Sequence, residues 1–315
     1  MSTPPASGPT AASGRPPRSE QSVGLLSGLA AYGLWGVLPL YFVLVSAAHP
    51  VEIVANRVLW SLVFCTLLVL VTRQGRQFKA LVADPRAIGW LGLAAAFIAV
   101  NWLTYTMAVL NHDTVSAAMG YYINPLVSTA LGVLLLGERL SRLQWLAVGI
   151  AVVAVAVLAV GYGSLPWTAL ILATTFAFYG YAKNRVGKRT TAVASLTVET
   201  ALLALPAAIA IAVLSARGLA TAGELGAGHF WLLAASGVIT AVPLLLFGTA
   251  ASRLPLSTLG SLQYLAPTLQ FVIALALFRE PMPLERWIGF LLVWVAIIVL
   301  SIDLFRRRPR RTAGG

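Results

Sequence analysis

Residues 121–145 read YYINPLVSTALGVLLLGERLSRLQW, and 142 positions later residues 263–287 read QYLAPTLQFVIALALFREPMPLERW. The two stretches align without a gap. Tyr122 falls on Tyr264, Pro125 on Pro267, Glu138 on Glu280 and Trp145 on Trp287. The same offset puts Asn101 on Pro243, Tyr105 on Phe247 and Arg57 on Glu199. Each copy is an apolar run with a proline inside it, closed by a glutamate. The chain is therefore a duplication. The number of apolar runs per copy decides how the copies sit.

Of the 315 residues, 59% are hydrophobic and only 10% are charged. That is the composition of a polytopic membrane protein rather than of a soluble core. Ten apolar segments lie at roughly 23–45, 53–72, 87–110, 114–136, 143–161, 165–183, 194–215, 229–250, 256–278 and 286–305. Each approaches the ~20 residues that a ~30 Å hydrocarbon layer requires of a helix. Five runs per copy is an odd number, so the second copy enters the bilayer upside down. The expected fold is an all-α membrane protein of ten transmembrane helices in two inverted five-helix repeats, 22–162 and 163–305. Residues 1–21, rich in Pro, Ser, Gly and Ala, read as a disordered cytoplasmic tail, and the arginine-rich 306–315 as a second one. A cleaved signal peptide does not fit, because the first apolar run is itself long enough to span.

Basic residues set the orientation. Eighteen of the 22 Lys and Arg residues fall on one side of the ten runs and three (Arg217, Arg279 and Arg286) on the other, with Arg57 left inside a span. The positive-inside rule then puts both termini in the cytoplasm. The net charge of +12 is thus topological. No loop is long enough to fold as a nucleic-acid-binding module. Cys65 is the single cysteine, which excludes an intrachain disulfide.

The stretch LGERLSRLQWLAVGI (136–150) is similar to the junction between the fourth and fifth helices of EamA-type permeases in the drug/metabolite transporter superfamily. ANRVLWS, NWLTYTMAVLN, YYINPL and LTVETALLALP resemble the RarD subgroup more narrowly. The likeness covers roughly 22–305. It implies ten helices in inverted repeats, a bacterial inner-membrane location, and export or uptake of small organic molecules. The subgroup's name points to chloramphenicol sensitivity. The second copy departs from the pattern: it reads FREPMPLERW, with Pro281 and Pro283 where Arg139 and Ser141 stand in the first. Equivalent roles for Glu138 and Glu280 do not follow.

Asn124 directly before Pro125 brings four hydrogen-bonding sites to a point where proline frees a carbonyl. Lipid cannot satisfy such groups, whereas a wet cavity or a protein neighbour can. Pro125 lies ~11 residues into its span, ~16 Å deep at 1.5 Å per residue, and Pro267 reaches a similar depth from the other side. Two helices broken at the midplane match the substrate sites of inverted-repeat transporters. The expected pocket takes Asn124, Pro125 and Pro267 as its polar floor. Asn101, Tyr105, Tyr121, Tyr122, Gln263, Tyr264 and Gln270 supply its amides and aromatic walls. The competing reading of Asn124 is a bond to a neighbouring helix.

Arg57 and Glu199 are the ionisable side chains well inside spans, expected to serve gating or coupling. Each lies ~7 Å below its own membrane face, the two faces being opposite, so they do not reach one another. Arg57 is expected to meet Asp113 or Glu52, and Glu199 to meet Lys183 or Lys188. Glu138 is expected to hold a tight turn, and Ser141 with Gln144 to form a capping box. His49, His112 and His229 lie at outer helix ends without metal-ligand spacing.

No HExxH, GxSxG or Walker A motif is present. The expectation is a secondary transporter without cofactor, with a small-molecule substrate and Glu199 as candidate proton carrier. A passive channel is the alternative class, and an intramembrane enzyme a more distant one. If the charge bias sets topology, a C-terminal reporter that is active only in the periplasm stays dark. A bright reporter would reverse the orientation.

Overall fold

The computed structural model describes residues 18–137, 140–186, 190–254 and 256–306. Glu138, Arg139, Lys188 and Arg189 lie outside the described residues, as do nearly all of both tails. Thirteen α-helices make up the described chain: α1 (Arg18–Gly36), α2 (Leu38–Leu44), α3 (Pro50–Val71), α4 (Gly75–Val82), α5 (Pro85–Leu110), α6 (Thr114–Leu136), α7 (Arg142–Tyr162), α8 (Trp167–Val186), α9 (Ala192–Ala216), α10 (Gly226–Arg253), α11 (Leu256–Leu262), α12 (Leu265–Ala276) and α13 (Leu284–Arg306). No strand occurs among the described residues.

The protein is an all-α membrane protein. Among the described residues nine helices are long and apolar enough to cross a bilayer, with α1–α2 and the α11–α12 region each counting as one. The run expected at 165–183 is helical too, as α8. It falls short in apolarity because Tyr179, Tyr181, Lys183, Asn184 and Arg185 crowd its second half. Leu26, Leu44, Leu70, Leu134, Val160 and Leu205 stand exposed on the helix surfaces, the disposition lipid accepts and water does not.

Helix starts are fixed by side chains that accept hydrogen bonds from otherwise orphaned N–H groups. Asp84 caps α5 through the amides of Arg86 and Ala87, at 2.9 and 3.3 Å. Thr191 caps α9, and the imidazole of His49 caps α3. The expected capping box forms at α7: Ser141 Oγ accepts from Gln144 N at 3.1 Å, and Gln144 Oε1 accepts from Ser141 N at 3.0 Å.

The two matching helix ends share a backbone feature. Gly137 closes α6 in the left-handed region at φ 67°, and Arg279, its equivalent in the second copy, takes φ 53°. The backbone turn survives the loss of the glycine. Glu280 then caps a helix of the other copy: its carboxylate accepts from Thr114 N and Val115 N of α6, both at 2.8 Å.

The proline expectation is corrected. α6 runs unbroken through Pro125, and the Thr129 hydroxyl donates to the Pro125 carbonyl at 2.8 Å. The matching span does break, at Gln263 and Tyr264, and Pro267 sits in the first turn of α12. Proline is tolerated there because first-turn N–H groups lack helical partners anyway.

The main helix pairings come in matched sets. α5 packs on α8 as α10 packs on α1; α6 on α8 as α12 on α1; α5 on α9 as α10 on α3. Exchanging each span with its counterpart five spans later turns one member of a set into the other. Pairs α3–α9, α6–α12 and α7–α13 map onto themselves.

Small residues permit the closest approaches. A Cβ on Gly237 of α10 would lie 2.4 Å from both the carbonyl carbon and the carbonyl oxygen of Trp60 in α3. Gly237→Ala therefore forces the two helices apart, at a cost of about 1–3 kcal/mol. Thermal unfolding in detergent should show a clear drop for this variant. Gly248→Ala in the same helix, whose Cβ would meet only Ala192 Cβ at 3.9 Å, should unfold like the parent.

Candidate functional site

Helices α3, α5, α6, α8 and α10 converge on a buried polar constellation. Its hub is Asn101 of α5, almost wholly buried. The Asn101 amide nitrogen donates to Leu172 O and Thr175 Oγ1 of α8, each at 3.0 Å. Its amide oxygen accepts from the Tyr121 hydroxyl of α6 at 2.9 Å. One side chain thus joins three helices. Tyr105, one turn on, packs its ring 5.7 Å from Tyr121 and 5.8 Å from Phe42. The Tyr105 hydroxyl is buried and has no hydrogen-bond partner among the described residues.

Arg57 of α3 points into the same place and is 5% exposed. Its guanidinium carbon stands 4.2 Å over the Trp102 ring, within cation–π range. Its Nε donates to Thr240 Oγ1 of α10 at 2.8 Å. Tyr41, Tyr105 and Tyr121 lie within electrostatic reach of it. The expected partners of Arg57 are not its partners. Glu52 accepts from Thr221 N, Ala222 N and Thr221 Oγ1 at 2.8, 2.9 and 3.0 Å. Asp113 accepts from Ser116 Oγ at 2.5 Å and pairs with Arg286 at 3.2 Å. Both acids act as clamps on other elements, and neither pairs with Arg57. Thr221 Oγ1 also lies 2.8 Å from His229 Nε2, so that histidine belongs to the Glu52 clamp.

The other expected residues do not join this constellation. Tyr122 turns to a different side: its hydroxyl is 2.6 Å from Thr268 Oγ1, and its ring stacks on Tyr264 at 6.3 Å and 17°. Phe290 and Trp294 of α13 meet its edge. Consecutive helical residues point about 100° apart, so Tyr121 and Tyr122 serve two different packings. Asn124 donates to Ala173 O of α8 at 3.0 Å, the helix-to-helix bond of the competing reading. Gln270 faces α1 and donates to Trp35 O at 3.1 Å. Gln263 is half-buried at the break before α12, and Pro267 is buried in that helix. The single pocket divides into an Arg57–Asn101 constellation and an aromatic cluster of α6, α12 and α13.

Glu199 of α9 forms a separate site. Its carboxylate is 1% exposed and pairs with Lys183 of α8 at 2.5 Å. Ser195 donates to the same oxygen at 3.0 Å, and Tyr179 to the other at 3.3 Å. Lys183 also donates to Ser195 at 2.5 Å. Of the two expected partners this is the one described; the other, Lys188, lies outside the described residues. Arg57 and Glu199 do not pair.

Sequence reasoning passed over Trp102 and Thr240, which hold Arg57. Trp102 carried a signal, being adjacent to Asn101. Thr240 carried none, because the repeat offset sets it opposite Ile98.

This arrangement can be set beside known proteins. A family model described as the EamA-like transporter family matches residues 22–160. A protein named RarD from Streptomyces exfoliatus is 49% identical over 295 residues, covering 94% of this chain and 93% of its own. The chain belongs to the EamA-like transporter family. Within it, similarity to RarD over nearly the whole length makes it a RarD-type permease. A Pseudomonas aeruginosa protein described as an uncharacterized transporter is 42% identical over 289 residues, covering 91% of this EamA chain and 96% of its own. A crystal structure at 20% identity aligns with a TM-score of 0.58, covering 91% of this chain and all of its own, which supports the fold.

Asn101→Leu removes three hydrogen bonds in one step, those to Leu172 O, Thr175 Oγ1 and the Tyr121 hydroxyl. The expected cost is about 1–2 kcal/mol, allowing for the modest average worth of hydrogen bonds inside membranes. Tyr121→Phe removes one donor and should cost less, about 0.6 kcal/mol. Thermal unfolding of the two variants in detergent checks the order.

Proposed function

We propose that this protein is a secondary transporter of small organic molecules, working by alternating access between two inverted halves. The Arg57–Asn101 constellation is its substrate site, and the Lys183–Glu199 pair its proton-coupling site. The observation that carries this reading is the burial of a guanidinium, an amide and the Tyr105 ring, with Tyr121 half-buried beside them, where five helices meet. Polar groups at such a place in a membrane protein are costly and default to function. The matched helix pairings support two halves that exchange roles. The near-complete burial of Arg57, Asn101 and Tyr105 fits a state closed to both sides.

The description of relatives as transporters supports a non-enzymatic role on this reading. The 18-to-3 distribution of Lys and Arg supports cytoplasmic termini, and the bacterial relatives an inner-membrane location. Coupling to protons rests on Glu199, which is buried yet joined to a lysine that is 27% exposed. Protonating the carboxylate breaks the pair and frees Lys183 to move.

Counterflow in proteoliposomes tests the transport mode. Vesicles loaded with unlabelled substrate should transiently accumulate tracer from a panel of amphenicols, amino acids and aromatic acids. Flux without counterflow would favour a passive channel. Glu199→Gln should abolish accumulation driven by a pH gradient while leaving counterflow in place. Unchanged gradient-driven uptake in that variant would remove Glu199 from coupling.

A further inference from the structure

Among the described residues Arg57 is a buried cation with no carboxylate paired to it. Its Nε is taken by Thr240 and one face of the guanidinium by Trp102. Neither terminal amine has a hydrogen-bond partner among the described residues, and no carboxylate among them pairs with it. Cation–π contact orients the group but does not neutralise it. A buried charge of this kind is retained where something else completes it. The Tyr105 hydroxyl, within electrostatic reach of Arg57, is also buried and has no hydrogen-bond partner among the described residues. Two unsatisfied groups, one a forked cation and one a hydroxyl, thus share one place.

Resting on the transport reading above, we infer that Arg57 receives the carboxylate of a small organic acid whose apolar ring lies against Trp102 and the tyrosines. The guanidinium's free end is a planar two-donor fork that matches a carboxylate oxygen for oxygen. The Tyr105 hydroxyl supplies a further donor to the same anion, and Tyr41 and Tyr121 line its approach. Charge selects a monoanion: the cluster brings one positive charge, which balances a carboxylate and leaves a phosphate dianion half compensated. The five surrounding helices place the fork among protein groups rather than lipid, so the occupant is a soluble acid and not a headgroup.

The test uses the full chain in phosphatidylcholine nanodiscs, which contain no anionic lipid. Benzoate and phenylacetate are compared with benzamide and benzylamine by thermal shift and by binding calorimetry. The acids should raise the melting temperature, and the neutral and cationic analogues should not. Arg57→Gln should weaken acid binding at least about 30-fold, the loss that follows when one partner of a buried charge pair is removed. Arg57→Lys keeps the charge but not the fork, so it should fold, with a lower melting temperature from loss of the Thr240 bond, and lose most of the acid affinity. That variant keeps the test open if Arg57→Gln fails to fold.

Equal binding of benzamide and benzoate, or acid binding indifferent to both substitutions, would overturn the assignment. So would an absence of stabilisation by either acid. An Arg57-dependent shift produced by phosphatidylglycerol nanodiscs alone would assign the fork to lipid and overturn it too. The two readings fail separately. Counterflow that ignores acids and Arg57 keeps the transporter and sinks this inference, whereas Arg57-dependent acid binding without counterflow does the reverse.

Discussion

Gly237 lets the backbone of α10 come against that of α3 at Trp60, and the site depends on that approach. Trp60 lies three residues after Arg57, and Gly237 three residues before Thr240. A side chain at Gly237 would part the two helices beside the place where Nε of Arg57 meets Thr240 Oγ1. The guanidinium would lose the one hydrogen-bonded anchor it has among the described residues, leaving the Trp102 ring to position it. In a membrane the water-driven force that squeezes helices together is missing, so such contacts between small residues carry the assembly. The same device recurs where Gly120 of α6 meets Ala169 of α8, with a Cβ-to-carbonyl distance of 2.8 Å.

The acidic residues near helix ends do a different kind of work. Glu52 and Glu280 are almost fully buried, yet neither faces a cation in the described chain. Each accepts from two consecutive backbone amides on another element. A carboxylate at the N-terminus of a helix is favoured by the helix dipole and by the orphaned N–H groups there. Glu280 uses this to fasten the end of one copy to the start of a helix in the other. The acids of this protein are thus mostly committed to structure. That leaves Arg57 as the conspicuous exception in charge balance.

Much of the fold was legible in the sequence because lipid imposes a simple rule. Backbone groups must be satisfied within the helix, so each apolar run of sufficient length is a helix, and the runs at 53–72, 87–110 and 114–136 match α3, α5 and α6 closely. The capping box at Ser141 and Gln144 was legible too, as a local pattern with a local cause. The site was harder. A proline reads as a break, yet α6 absorbs Pro125 while the second copy breaks before Pro267, because neighbouring packing decides whether a helix survives the loss of one bond. The two adjacent tyrosines read as one aromatic surface, and helix geometry separates them. Asn101 and Arg57 were recognisable as misplaced polar groups. Their partners Thr240 and Leu172 were not, since only the tertiary packing brings α8 and α10 to them.

Tyr121 and Tyr122, about 100° apart around the axis of α6, make that helix a shaft with two teeth. One tooth engages the Arg57–Asn101 constellation through Asn101, the other the stacked Tyr264 and the hydroxyl of Thr268. A rigid helix that turns about its axis moves both teeth through the same angle. Disengaging Tyr121 from Asn101 by rotation therefore also unstacks Tyr122 from Tyr264. The two clusters would not need a shared cavity to be coupled; a rotation of their common helix would move both.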